Sequence, residues 1–294
     1  MATTTNNTEL KMQIIDYTKG MEIPKNCIIR GMPNEVYHST AHMSKSKLDL
    51  FDRSPAHLEC AGPIAPTRAM EIGTAIHTAI LEPERFKEEY LLLTDAKDRR
   101  SSLYRDASKV HGTERVLVST ECEKVEGMRI TAHAYHEYTD NYLNKPHEIE
   151  LSYFGICSET GVPIKCRFDM ITECGHALDL KKTQDVRLDA LGRAILNYRY
   201  HVQWAFYSHV YECVTGEPLK SFNFFFIEEN APHSCQIARL CEETKQTGTA
   251  EMLENLESYA SNPSATDGTW RSPEVLSLPV WYLNQNATEE IIYE

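Results

Sequence analysis

Apolar residues set the period of the first half of the chain. Between residues 67 and 81, Met70, Ile72, Ala75, Ile76, Ala79 and Ile80 lie along one side of a helical turn. Pro83 ends that helix and begins a short successor over 84–89. Upstream, Ser44 or Ser46 caps a short helix over 47–51, and Ser54-Pro55 opens another with proline in its first turn. The stretch 95–108, with Lys97, Asp98, Arg99 and Arg100, reads as a charged mobile loop. Residues 116–118 form a short strand, after which Ser119 or Thr120 caps a long helix running to about residue 143.

The pattern then changes to period two. Strands are expected over 148–157, 163–172 and 176–182, with turns at Thr160-Gly161 and Gly175, which makes an antiparallel meander. Helices follow over 187–196 and 200–214. The run Phe222-Asn223-Phe224-Phe225-Phe226-Ile227 is a buried strand, 234–240 is its partner, and 242–260 is a surface helix. A tail with Trp270, Pro273, Pro279 and Trp281 packs irregularly. Residues 1–33 are expected to be loosely ordered around one apolar stretch at 27–29, and 34–294 to form a single domain. Helices, a central mixed β-sheet and further helices give an α/β (α+β) class.

Composition narrows this further. A chain of 294 residues, 41% hydrophobic and 25% charged, can bury a core and is ordinary for a soluble protein. No apolar run approaches a membrane span, and the polar Thr/Asn-rich start lacks a signal core, so a cytoplasmic protein without membrane partners is expected. Nine scattered cysteines without a C-x-x-C pair read as reduced thiols. An iron–sulfur cluster on Cys27, Cys60, Cys235 and Cys241 lacks the paired spacing it needs. The net charge of −13 argues against coating nucleic acid and leaves room for one local basic channel.

Candidate chemistry concentrates in one hairpin. Leu178-Asp179-Leu180-Lys181 alternates, so Asp179 and Lys181 share a face, and the Gly175 turn returns Asp169 toward Asp179. Two carboxylates and an ammonium suit a Mg²⁺ site that activates water against a phosphodiester; a solvated strand face has the same pattern. Gly73 and His77 lie one helical turn apart, where glycine admits a close neighbour and histidine offers an imidazole; a satisfied core histidine looks the same. Glu150 opens the strand before Asp169, near the hairpin or at a strand edge. Gln203 and Tyr207 share a helix face, from which the amide orients water or phosphate or merely flanks the helix. Thr183 contacts phosphate or ends its strand.

Taken in order, Gly73-x-x-x-His77, Glu150, Asp169, Asp179-x-Lys181 and Gln203-x-x-x-Tyr207 resemble the PD-(D/E)xK nuclease superfamily. Within it the chain is similar to the RecE-type (exodeoxyribonuclease VIII C-terminal domain) phage exonucleases, through residues 43–48, 54–56, 72–86, 166–169, 179–183, 198–207 and 276–279. Two departures occur: Phe168 stands where proline precedes the first aspartate, and the second acidic residue is Asp179 rather than glutamate. The resemblance implies a restriction-endonuclease-like core. It makes His77, Asp169, Asp179 and the Leu180 carbonyl ligands of Mg²⁺, with Mn²⁺ able to substitute. Lys181 then orients the nucleophile or stabilises the phosphate, Glu150 supports the metal or binds it weakly, and Gln203, with Tyr207 beside it, positions water or phosphate. It further implies 5′→3′ digestion of linear double-stranded DNA to 3′ single-stranded tails for recombination by strand annealing. The implied partners are a RecT-like annealing protein and further copies of the chain in a trimeric or tetrameric ring, inside a bacterial host. Ser44, Lys45, Ser46 and Arg53 are candidates by position for binding a 5′ phosphate. Alternatives are a Cas4-like or endonucleolytic relative, or an inactive DNA-binding or assembly module.

Overall fold

The computed structural model describes residues 13–62, 65–262, 277 and 280. The polar lead-in before residue 9, the tail around Trp270 and Trp281, and most of the 276–279 motif lie outside the described residues. Nine strands are present among those described. Seven form one mixed sheet in the order β1 (Ile14–Asp16), β2 (Cys27–Arg30), β5 (His147–Ile156), β6 (Pro163–Thr172), β7 (His176–Thr183), β8 (Ser221–Glu228) and β9 (Cys235–Ala238). The other two, β3 (Leu91–Leu93) and β4 (Val116–Val118), make a small parallel pair.

The meander is antiparallel from β5 to β7, and β8 returns parallel to β7. That return needs a crossover. It is supplied by α9 (Leu188–Asn197) and α10 (Tyr200–Thr215), after which α11 (Glu242–Ser261) packs on α10. The N-terminal half gives α1 (Asn34–Ser39), α2 (Lys45–Arg53), α3 (Pro55–Glu59), α4 (Arg68–Leu81), α5 (Pro83–Glu89), α6 (Ser102–His111), α7 (Ser119–Ala134) and α8 (His136–Tyr138). One face of the sheet buries Leu151, Phe168, Phe222, Phe224 and Phe226 against Val202, Phe206 and Val210 of α10. The opposite face buries Met170, Leu178, Leu180 and Phe225 against α4 and α7. The sheet therefore has helices on both sides and no solvated face near its centre, which explains the nearly continuous apolar run of β8. None of the described helices is long and apolar enough to cross a membrane.

Three expectations change. Residues 1–33 are not uniformly loose: β1 and β2 join the sheet edge, and Ile29 is fully buried. β2 is held by pairing with β5, more than a hundred residues away, and β1 by pairing with β2, which short apolar runs do not advertise. The charged stretch 95–108 is not all loop. Ser101 accepts from the Tyr104 amide and starts α6, which buries Tyr104 and turns its charges outward. The long helix after β4 stops at Ala134, followed by α8 and a π turn over Thr139–Leu143.

Helix α11 crosses α10 at Gly248, where an added Cβ would meet the His201 carbonyl oxygen at 2.3 Å. Alanine is the better helix former by about 1 kcal/mol. Here it would force two backbones apart, at a cost of roughly 1–3 kcal/mol. Gly248→Ala is therefore expected to lower the urea midpoint; a higher midpoint would mean the two helices are not in this contact.

Candidate metal centre

The site is built where β6 and β7 separate. Their ladder runs through Ile171↔Ala177 and Met170↔Leu178 and stops there. The next amide on β7 that would pair, that of Leu180, instead donates to Asp169 Oδ2 at 2.8 Å. A side chain thus replaces a backbone acceptor, and the carboxylate is held at the gap between strands. On the other side of β6, Ile149↔Met170 and Leu151↔Phe168 place Glu150 directly opposite Asp169.

Glu150 has a φ of 53°, the left-handed region that a non-glycine residue enters at a cost of about 1–2 kcal/mol. Strand alternation inverts at that point. Leu151 and Phe168 lie in the core facing α10, whereas Met170, with Ile149 against it, belongs to the core facing α4. Regular alternation would put Phe168 and Met170 on one face. The inversion aims the Glu150 and Asp169 side chains together, where α4 presents His77. Ligand atoms of His77, Glu150 and Asp169 all lie within 4.8 Å of one another, and His77 Nδ1 is 3.5 Å from Asp169 Oδ2.

Asp179 sits across the gap, buried on the α10 side. Gln203 Nε2 donates to its Oδ1 at 2.6 Å, and Lys181 Nζ lies 2.5 Å from its Oδ2 and 4.8 Å from the Tyr200 ring centre. Gln203, expected to position water or phosphate, instead fixes a carboxylate. Tyr207 does not reach out beside it; its ring stacks on Phe222 and meets Phe168 edge-on. Glu150 is nearer to His77 and Asp169 than a supporting role implies, and Asp179 stands outside that three-donor group. The Leu180 backbone stands close enough to the His77 ring to favour its protonated form, which burial opposes. Gly73 has open space around it, so no other part of the described chain uses the approach it permits.

The 5′-phosphate candidates spread out. Ser44 caps α2 by accepting from the Lys47 amide at 3.4 Å, while Ser46 and Arg53 are exposed. Lys45 pairs with Asp49 at 2.6 Å, donates to the Tyr198 carbonyl, and stands near enough to Lys181 for their charges to repel. Thr183 accepts from the Asp185 amide at 3.3 Å and closes a turn.

Sequence reasoning missed two buried cations on β6. Arg167 donates to Ser152, Asn34 and the Met32 carbonyl, lies over the Tyr37 ring, and comes within 3.8 Å of Glu150. Lys165 donates to the Tyr37 carbonyl and to Thr40, and burial, with Lys47 and Arg167 nearby, lowers its ammonium to about 7. The signal was present in Lys165-Cys166-Arg167-Phe168-Asp169, which alternates charged and apolar. A cavity of about 770 Å³ lined by Tyr142, Trp204, Asn223 and Lys245 lies elsewhere and contains none of the candidate catalytic or ligand residues.

Electrostatics mark the centre as short of positive charge. Burial, then Asp179 and Glu150, hold the Asp169 carboxyl well above the usual carboxylate range. Burial likewise raises Glu150 although Arg167 opposes it. The His77 imidazole falls to about 4, chiefly through burial and also through Lys181, despite Asp179. Burial would lower Lys181, but Asp179 and Asp169 carry it above its ordinary value. Three carboxylates, one lysine and a neutral imidazole make a donor set of hard oxygens and one nitrogen, which fits Mg²⁺ or Mn²⁺.

A family model described as a PDDEXK-like domain of unknown function (DUF3799) matches residues 44–264. A crystal structure of a "Putative exonuclease" from Eubacterium rectale aligns over 88% of this chain and 99% of that one, at 16% identity and a TM-score of 0.52. A second, of SSO0001, aligns over 65% and 86% at 12% identity, with a TM-score of 0.26 too low to carry an argument. No curated protein matches the chain in sequence.

The charge shortage has a measurable sign. Asp169 and Glu150 titrate above their unfolded values, so each favours the native state at low pH and loses that contribution as pH rises through its folded value. His77, depressed to about 4 from 6.5, acts in the opposite sense between those values and is neutral in both states above them. At mildly alkaline pH in chelator, Asp169→Asn should therefore be more stable than the parent, on the order of 1 kcal/mol. Calorimetry showing the parent equally or more stable would remove the uncompensated charge from the account.

Proposed function

The chain belongs to the PDDEXK-like family whose model spans residues 44–264, and from that premise we propose that it is a Mg²⁺-dependent 5′→3′ exonuclease of double-stranded DNA. The observation that carries the reading is the convergence of His77, Glu150 and Asp169 beside the Asp179–Lys181 pair, at the parting of β6 and β7. The description of the Eubacterium rectale protein as a "Putative exonuclease" points the same way, as do the RecE-type motifs of the chain. On this reading the product is a 3′ single-stranded tail passed to a RecT-like annealing protein, and copies of the chain form a ring around the duplex.

His77, Glu150 and Asp169, with Asp179 adjoining, would hold the divalent cation, which would supply neutralising charge and lower the pKa of a bound water. The chain's own residues do the rest. The Leu180 amide fixes Asp169, and Gln203 fixes Asp179, so neither carboxylate must be ordered when substrate arrives. Lys181, kept protonated by Asp179 and Asp169, offers an ammonium to the negative charge that develops on the phosphate. The lowered His77 leaves a neutral ring whose second nitrogen keeps a lone pair. Arg167 adds positive charge on β6 beside Glu150, which offsets locally the chain's net charge of −13.

End-labelled linear duplex should release 5′ nucleotides with Mg²⁺ and none in chelator, while covalently closed circles stay intact. Asp179→Asn and Lys181→Ala should each reduce the rate by about 100-fold or more with circular dichroism unchanged. Cut circles would favour an endonuclease. Full activity in both variants would remove the site assignment.

A further inference from the structure

A second group of metal-ligand side chains stands away from the centre described above. At the tip of the β5–β6 hairpin the chain turns tightly: the Cys157 amide donates to the Val162 carbonyl at 2.9 Å, and the Gly161 amide donates back to the Cys157 carbonyl at 2.9 Å. That turn fixes Cys157 and Glu159 against the C-terminal half of α10. There His209 and Cys213, four residues apart, share one helix face. The His209 imidazole Nε2 is 3.3 Å from Cys157 Sγ, 3.2 Å from Glu159 Oε2 and 3.4 Å from Cys213 Sγ, and Cys157 Sγ is 3.4 Å from Glu159 Oε2. Ligand atoms of Cys157, Glu159 and His209 all lie within 4.8 Å of one another.

These separations have a metric meaning. Zinc binds thiolate at about 2.3 Å and imidazole or carboxylate at about 2.0–2.1 Å, in a tetrahedron. The edges of such a tetrahedron run roughly 3.3–3.6 Å between sulfur, nitrogen and oxygen donors. The four contacts above fall on or just under that range. We propose that Cys157, Glu159, His209 and Cys213 form a structural site for a soft tetrahedral divalent cation of the zinc class, which ties the β5–β6 hairpin to α10. Cys213 lies outside the three-donor group and completes the set by moving toward it.

Chemistry and accessibility agree with this. Two sulfurs and an imidazole select a softer ion than the oxygen-rich centre around Asp169, so the two sites sort metals by ligand type. Cys157 is 1% exposed while the Glu159 side chain is 48% exposed, so the set has a buried anchor and an open entrance. The tie acts on the helix that carries Gln203, the donor holding Asp179. The inference does not depend on the nuclease reading.

Cobalt tests it on the full chain, purified under reducing conditions and stripped with chelator. Added Co²⁺ should produce the near-ultraviolet thiolate-to-cobalt band, at about one ion per chain, and Zn²⁺ should bleach it. The band should persist in Asp169→Asn, which alters only the other centre. It should vanish in His209→Ala and weaken in Cys213→Ser and Glu159→Gln, whose partly exposed side chains allow the fold to survive. Zn²⁺ should raise the melting temperature of Asp169→Asn, and should not raise that of Asp169→Asn combined with Cys157→Ser. No thiolate band in the parent, a band unchanged by Cys213→Ser and Glu159→Gln, or loss of the band in Asp169→Asn would each overturn the proposal.

Discussion

One hydrogen bond organises this molecule: the Leu180 amide given to the Asp169 carboxylate instead of to a neighbouring strand. It keeps β6 and β7 joined chemically after their ladder has stopped, so the Leu180 amide is not orphaned there. The gap is what lets two carboxylates from adjacent strands face a common space. Closing it by ordinary pairing would give a better sheet with its acidic groups occupied elsewhere. The ladder of β7 with β8 continues unbroken through Asp179, Leu180 and Lys181, so the strand stays rigid where it has left its other neighbour.

Around that gap the fold accepts several costs together. Glu150 sits in a left-handed conformation, Asp169 is held among like charges, and Lys181 is desolvated. Each alone would be disfavoured; together they offset one another in part and leave a net shortage of positive charge. The surrounding core holds the arrangement in place. Phe225 stacks with Tyr135 and Tyr138 on one face, and the Phe222, Phe224 and Phe226 series packs under α10 on the other. Strain of this kind persists where neighbouring structure over-determines it, and it collects at sites of chemistry.

Much of the frame was legible. The helix expected at 67–81 is α4, Arg68–Leu81, because a helical stripe and a threonine cap are local signals. The strand expected at 163–172 is β6 to the residue, and Gly175 makes its turn with φ of 80°. That His77 would stand by Asp169, and Lys181 by Asp179, was expected from motif order, and the structure brings these pairs together. What period-two reading could not show is the face inversion at Glu150, since Glu148-Ile149-Glu150-Leu151 looks like regular alternation. Nor could it show that Gln203 serves Asp179, or that Cys157 and His209, 52 residues apart, touch. Strands β1 and β2 escaped because β2 is held by its distant partner β5, and β1 in turn by β2, rather than by their own residues.

The central claim is that strand separation creates one cation-binding cage, and locating the cation tests it most directly. Crystals soaked in Mn²⁺ and measured at the manganese absorption edge should show an anomalous peak coordinated by His77, Glu150 and Asp169, with Asp179 adjoining. A peak bound elsewhere, or an empty gap at saturating Mn²⁺, would contradict the account.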